Sequence, residues 1–157
     1  MIEWHWLGFD DIPRDDWYEV LRQRQDVFIL EQTCLYPDID GCDPDSHHLM
    51  AWREIDGKRT LVAYLRCLPP GLKYDEMSLG RVLTTRAARG SGIGRELLAK
   101  AIPLAEALHP GHPFRIGAQA HLEKFYGDFG FKKVSEPYDE DGIMHIEMLR
   151  QPAPIEI

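Results

Sequence analysis

No apolar run in this 157-residue chain approaches the ~20 residues needed to cross a bilayer, so no membrane partner is expected. The opening Met1-Ile2-Glu3-Trp4-His5-Trp6 has no basic region followed by an apolar stretch, which argues against a cleaved leader. Basic charge is scarce. The chain has 18 Lys and Arg residues against 26 Asp and Glu, a net charge of −8, and this balance counts against a nucleic-acid binder. Cysteine is scarce too: Cys34, Cys42 and Cys67 form no Cys-x-x-Cys pair, and their number is odd. Three reduced thiols and a cytoplasmic location are the expectation, with a Cys34–Cys42 bridge as the lesser alternative. No internal repeat, low-complexity tract or linker divides the chain, so a single domain over 1–157 is expected. At 44% hydrophobic and 28% charged residues, it has ordinary globular composition.

Periodicity then sets out the elements. Ile2, Trp4 and Trp6 alternate with polar residues and predict a first strand, whose exposed tryptophans could form a homodimer edge. Trp17, Val20, Leu21, Val27 and Phe28 follow at helical spacing, with Asp15 or Asp16 as N-cap. Tyr36 to His48, dense in Asp, Pro and Gly, reads as a long loop. Leu49–Trp52 and Leu61–Leu68 predict paired strands around Asp56-Gly57, and Met77–Thr84 another strand. Ile93, Leu97, Leu98, Ala101, Leu104, Ala105 and Leu108 trace one face of a helix that Pro103 should kink or restart. Phe114–Ala118 reads as a strand, Leu122–Phe129 as a helix stopped by Gly130, and Phe131–Val134 and His145–Leu149 as strands separated by an acidic loop. The order implies an α/β fold: a mixed sheet with helices on its faces.

Chemistry concentrates in Arg89-Gly90-Ser91-Gly92-Ile93-Gly94-Arg95, where a strand hands over to a helix. Alternating glycines let backbone amides approach a ligand, and the helix N-terminus favours an anion. Arg89 and Arg95 can add charge-assisted hydrogen bonds. The loop lacks the Gly-Lys-Ser or Gly-Lys-Thr of a P-loop, and Arg95 stands where a dinucleotide fingerprint needs Gly or Ala. A phosphate or pyrophosphate site is favoured over a ligand-free turn.

Arg89-x-x-Gly92-x-Gly94 after a strand resembles the acetyl-coenzyme A loop of the GCN5-related N-acetyltransferases (GNAT). Phe125-Tyr126-Gly127-Asp128-Phe129-Gly130-Phe131 resembles that family's helix-to-strand motif. The likeness covers nearly the whole chain and narrows to the ElaA-like branch through Val27–Gln32, Tyr36–Gly41, Gly117–Leu122 and the Glu140-Asp141-Gly142-Ile143 stretch with His145-Ile146. It implies a central, mostly antiparallel, splayed sheet flanked by helices. By the same likeness, Val82, Leu83 and Thr84 would bind pantetheine through their backbone, and Arg89 to Arg95 would hold the pyrophosphate. Tyr126 would face the cofactor sulfur. Gln119 stands where many relatives carry Asn, seven residues before that tyrosine.

The implied reaction is direct attack of an amine, from a small molecule or peptide, on the thioester of acetyl-CoA. The Leu83 amide could polarise the carbonyl, and Tyr126 could protonate the departing thiolate. Without the motif, Tyr126 would read as a core tyrosine. Glu31, His121 and His145 are candidate bases, each with a plainer reading as a helix-end charge, an N-cap neighbour and a strand histidine. Gln32 and His145 are assigned to the acceptor. The Asp38–His48 loop lacks EF-hand spacing, since Gly41 follows Asp38 by three residues, and Cys42, His47 and His48 lack a second ligand pair. No metal is expected there. Its carboxylates, Asp40 among them, together with Asp139, Glu140 and Asp141, either attract a cationic amine or form a solvated surface. An acyl-CoA-binding or partner-binding protein without turnover is the alternative function.

Overall fold

The computed structural model describes residues 1–152; the last five residues of the expected 1–157 domain lie outside the described residues. Strands β1 (Glu3–Gly8), β2 (His47–Ile55), β3 (Lys58–Leu68) and β4 (Ser78–Thr84) form an antiparallel sheet in that order. Asp56 and Gly57 both have positive φ, the conformation a two-residue hairpin needs between Ile55 and Lys58. Leu61 to Leu68 are buried on both faces of the sheet. Met50, Trp52, Leu61 and Tyr64 pack toward helix α1 (Arg14–Arg24), and Leu49, Ala51, Leu65 and Cys67 pack toward α2 (Ile93–Leu108). The three cysteines are free thiols. Among the described residues, no helix is long and apolar enough to cross a membrane.

Several expectations are corrected. Trp4 and Trp6 are half-buried rather than exposed and pack against the α2-side core, because pairing with β2 carries β1 under that layer. Helix α1 is entered through Pro13, so Asp15 and Asp16 sit in its first turn, where the dipole favours acids. The chain then widens into a π-helical segment, Gln25–Glu31. Helix α2 runs through Pro103 without a break. That proline and Ala99, whose carbonyl loses its partner, both lie on the exposed face, where water can satisfy the freed group.

The second sheet is built on β8 (Ile143–Arg150), antiparallel to β5 (Phe114–Gln119), β6 (Lys132–Lys133) and β7 (Tyr138–Glu140). Strand β7 lies in what reads as an acidic loop; its sequence signal was Asp141-Gly142, both at positive φ, closing a hairpin with Glu140 opposite Ile143. Helix α3 (Glu123–Gly127) ends earlier than its pattern suggests. The Phe129 and Phe131 amides turn back onto the Tyr126 carbonyl, and Gly130 takes φ +90°. The two sheets meet where Met77 bridges Phe114 in parallel, ahead of β4 and β5.

A buried charge cluster underlies the loop before β2. Arg24 and Arg66, 0% and 1% exposed, both donate to Asp43 Oδ1, at 2.8 and 3.0 Å. Arg24 also donates to Asp38, and Arg66 to both oxygens of Asp40. Beside them lies His48, with Nε2 3.0 Å from the Asp43 carbonyl and Nδ1 2.6 Å from the Tyr64 hydroxyl. The carbonyl can only accept, so Nε2 carries the proton and Nδ1 accepts from Tyr64. Burial holds His48 neutral and lowers its pKa to about 4.

The unfolded chain therefore binds a proton that the folded one refuses. Stability from this site is complete above pH 6.5 and declines as pH falls toward 4, by up to about 3 kcal/mol. Urea titrations across that range should show the decline, and His48→Gln, which cannot titrate, should flatten it.

Candidate active site

The site begins with a divergence. β4 and β5 leave their shared bridge in the same direction and separate, opening a cleft of about 500 Å³. Val82, Leu83 and Thr84 line one wall, and Ile116, Gly117, Ala118 and Gln119 the other. On β4 the ladder with β3 is irregular. Arg66 faces Gly80 and Tyr64 faces Leu83, so Arg81 and Val82 share the single opposite residue Leu65.

At the wide end, the glycine loop turns into α2. Gly90 and Gly92 both have φ +80°, which only glycine adopts without strain. Gly92 is the N-cap of α2 and offers no side-chain cap, leaving first-turn donors to another acceptor. Gly94 lies beside β4 without being required there: a Cβ would meet Thr84 Cγ2 at 3.6 Å, an ordinary contact. The loop residues divide. Ile93 is a core residue, and Ser91 Oγ donates to the Ala88 carbonyl. Arg95 pairs with Asp128 at 3.0 Å and lies over Phe125, while Arg89 lines the cleft and pairs with Glu31 at 2.7 Å.

Tyr126 sits on α3, 7% exposed, and contributes to the cleft wall. Burial pushes its phenol up to about 12, so it keeps its proton at neutral pH. Gln119, at the end of β5, donates to Gln32 Oε1 at 3.4 Å across the cleft, so two singled-out glutamines meet. The turn at Asp141 closes over this end, where Cys34 Sγ lies 3.3 Å from the Asp141 carbonyl.

The candidate bases separate. Glu31 is exposed and does not line the cleft; hydrogen bonds from Arg89, with Arg86 beside it, hold its carboxyl below the usual range. His121 is exposed on the turn after β5, also outside the cleft lining. His145 lines the cleft. Its Nδ1 donates to the Ile143 carbonyl at 2.8 Å, and Nε2 lies 3.4 Å from Glu140 and beside the Tyr138 ring. Asp40 lines the cleft but is not a free carboxylate. Burial would raise its pKa, yet Arg66, the Cys42 amide and Arg81 hold it well below the usual range. Asp38 and Asp43 are likewise held by arginines, so this loop is internally neutralised. Of the carboxylates expected to attract an amine, Asp45, Asp139, Glu140 and Asp141 are exposed and, among the described residues, have no arginine partner.

The family profile described as "Acetyltransferase (GNAT) domain" matches residues 23–151. The chain belongs to the GNAT family. Protein ElaA of Escherichia coli is 40% identical over 153 residues, covering 96% of this chain and 97% of its own. The ElaA crystal structure superposes with a TM-score of 0.87, covering 96% and 100% of the two chains at 39% identity. An acyl-CoA N-acyltransferase from Pseudomonas aeruginosa superposes at 0.88, with 43% identity over 96% of this chain and 99% of that one. The UPF0039 protein sll0451 of Synechocystis is 47% identical over 148 residues, 94% of each chain. The GNAT family's chemistry is acyl transfer from a CoA thioester, and this chain carries its fold.

Cys34, Tyr36, Arg66, Lys73 and Arg81 are among the cleft residues to which the sequence reading gave no site role. A signal was present for two of them. Arg66 interrupts the apolar run Leu65-Cys67-Leu68, and Arg81 sits within the strand Leu79-Gly80-Val82-Leu83. Charge inside a buried strand needs a counter-charge, and the Asp-rich loop supplies it.

Proposed function

We propose that this protein is a single-domain N-acetyltransferase over 1–157, carrying acetyl from acetyl-CoA to an amine of a small molecule or peptide. The observation that carries the reading is one cleft lined by Val82–Thr84, by Arg89 at the head of the glycine loop that leads to the uncapped α2 terminus, and by the buried, protonated Tyr126. Acetyl-CoA supplies the thioester. The loop Arg89 to Arg95 holds its pyrophosphate, Val82, Leu83 and Thr84 its pantetheine arm, and Gln119 with Gln32 borders the reacting end. The free thiols of Cys34, Cys42 and Cys67 favour a cytoplasmic location.

The roles follow from the groups. The amine must arrive neutral, and of the three candidate bases His145 alone lines the cleft, so His145 takes the amine proton and Glu31 and His121 do not. A backbone amide of the Val82–Thr84 wall that the β3 ladder leaves free donates to the oxygen that gains charge as the carbonyl carbon becomes tetrahedral. Collapse breaks the carbon–sulfur bond, and the Tyr126 hydroxyl donates its proton to the leaving thiolate. The buried phenol keeps its proton at neutral pH, so the hydroxyl is available as the donor.

Gly92→Asp places a side chain at φ +80° and a negative charge in the loop. Isothermal titration should show acetyl-CoA affinity falling about tenfold or more; unchanged affinity moves the pyrophosphate elsewhere. Tyr126→Phe keeps the packing and deletes the hydroxyl. In a thiol-release assay across an amine panel, kcat should fall about 100-fold with acetyl-CoA affinity within twofold of wild type. Equal turnover with chemistry rate-limiting makes the tyrosine structural.

The exposed Asp139–Asp141 turn supports a cationic acceptor. Screening shortens from about 10 Å at 0.1 M salt to about 3 Å at 1 M. The acceptor KM, measured at saturating acetyl-CoA, should therefore rise with ionic strength. Asp139→Asn with Asp141→Asn should flatten the rise, and an identical salt response would reduce the turn to solvated surface.

A further inference from the structure

The irregularity on β4 centres on one residue. Arg81 has φ +51°, a left-handed conformation uncommon for a residue with a side chain. Such strain persists where the surroundings over-determine it. Here the side chain provides the hold. Arg81 Nε lies 2.7 Å from Asp38 Oδ1, and Nη2 donates to the Asp38 carbonyl at 3.0 Å and to Asp40 Oδ2 at 3.2 Å. The guanidinium also lies over the Tyr36 ring, 5.2 Å from its centre. Asp38 and Asp40 do not move to suit Arg81, because Arg24 and Arg66 fix them from the other side.

We propose that Arg81 is a positioning residue: its ion pairs with Asp38 and Asp40 hold the bulge that releases Val82 from the β3 ladder and sets the cleft wall. A glycine would adopt this φ freely; with a side chain present, the ion pairs must offset the strain. The arginine couples the β4 wall to the loop that carries Cys34, Tyr36 and Asp40, so the cofactor side and the acceptor side of the cleft share one anchor. The functional half of this inference rests on the acetyl-CoA reading above; the conformational half does not.

Two variants separate strain from charge. Arg81→Ala and Arg81→Gly remove the same charge and the same contacts, and both leave Asp38 and Asp40 paired with Arg24 and Arg66. Only alanine must still oppose φ +51°. In ¹⁵N-labelled, ligand-free full-length protein, the amide resonances of residues 64–66 and 82–84 should move in Arg81→Ala and stay close to wild type in Arg81→Gly. Titrated with acetyl-CoA, Arg81→Ala should bind about tenfold more weakly than wild type, and Arg81→Gly should recover most of that loss. Equal resonance changes in the two variants, or none in either, overturn the hold. Displaced resonances with unchanged affinity overturn the positioning role. A wild-type protein that binds no acetyl-CoA refutes the cofactor reading and with it the positioning role, while the resonance comparison still decides the hold.

Discussion

Two strands that start together and do not stay together organise this protein. β4 and β5 share the Met77–Phe114 bridge and then part, each held by its own sheet: β4 by β3, and β5 by β8. A continuous sheet would have satisfied those backbone groups internally. Parting leaves polar backbone facing a gap, and unpaired backbone groups need partners. Arg89 of the glycine loop reaches that gap, α3 brings Tyr126 to it, and the β7–β8 hairpin closes over its Gln119 end. Each element is placed by its own packing, and contacts such as Gln119–Gln32 and Cys34–Asp141 join them at single points.

Much of this was legible in the residues. Alternation found β1, β2 and β3, the apolar face of α2 was plain, and the glycines of the loop announced their positive φ. What escaped had a physical reason. β7 is three residues long and rich in acids, and its identity comes from pairing with β8 rather than from any pattern of its own. The early end of α3 is set by hydrogen bonds returning to Tyr126, which periodicity does not contain. Pro103 did not break the helix, because the carbonyl it leaves unpaired fell on the wet face. At the site, spacing pointed to the glycine loop, the family resemblance to Tyr126, and residue type to three candidate bases. Separating His145 from Glu31 and His121 required knowing which of them line the cleft.

The electrostatics were the least legible. An acidic loop in an acidic protein suggests a surface that attracts cations, and a sequence does not show which carboxylates are spent internally. Three arginines from α1, β3 and β4 take up Asp38, Asp40 and Asp43, and burial makes that pairing compulsory, because unpaired charges at such positions would be costly. The same composition at the β7–β8 turn has no such partners close by except His145, so identical residue types end with opposite roles.

The 2.7 Å pair between Glu31 and Arg89 gives the mouth of the site a resident carboxylate. Both side chains are partly exposed, so the pair is weak and exchangeable. Under the proposed reading, a group with several negative oxygens engages Arg89 and the α2 amides at once and displaces a ligand that offers a single charge. On that reading Glu31 is a place-holder, given up when the cofactor arrives.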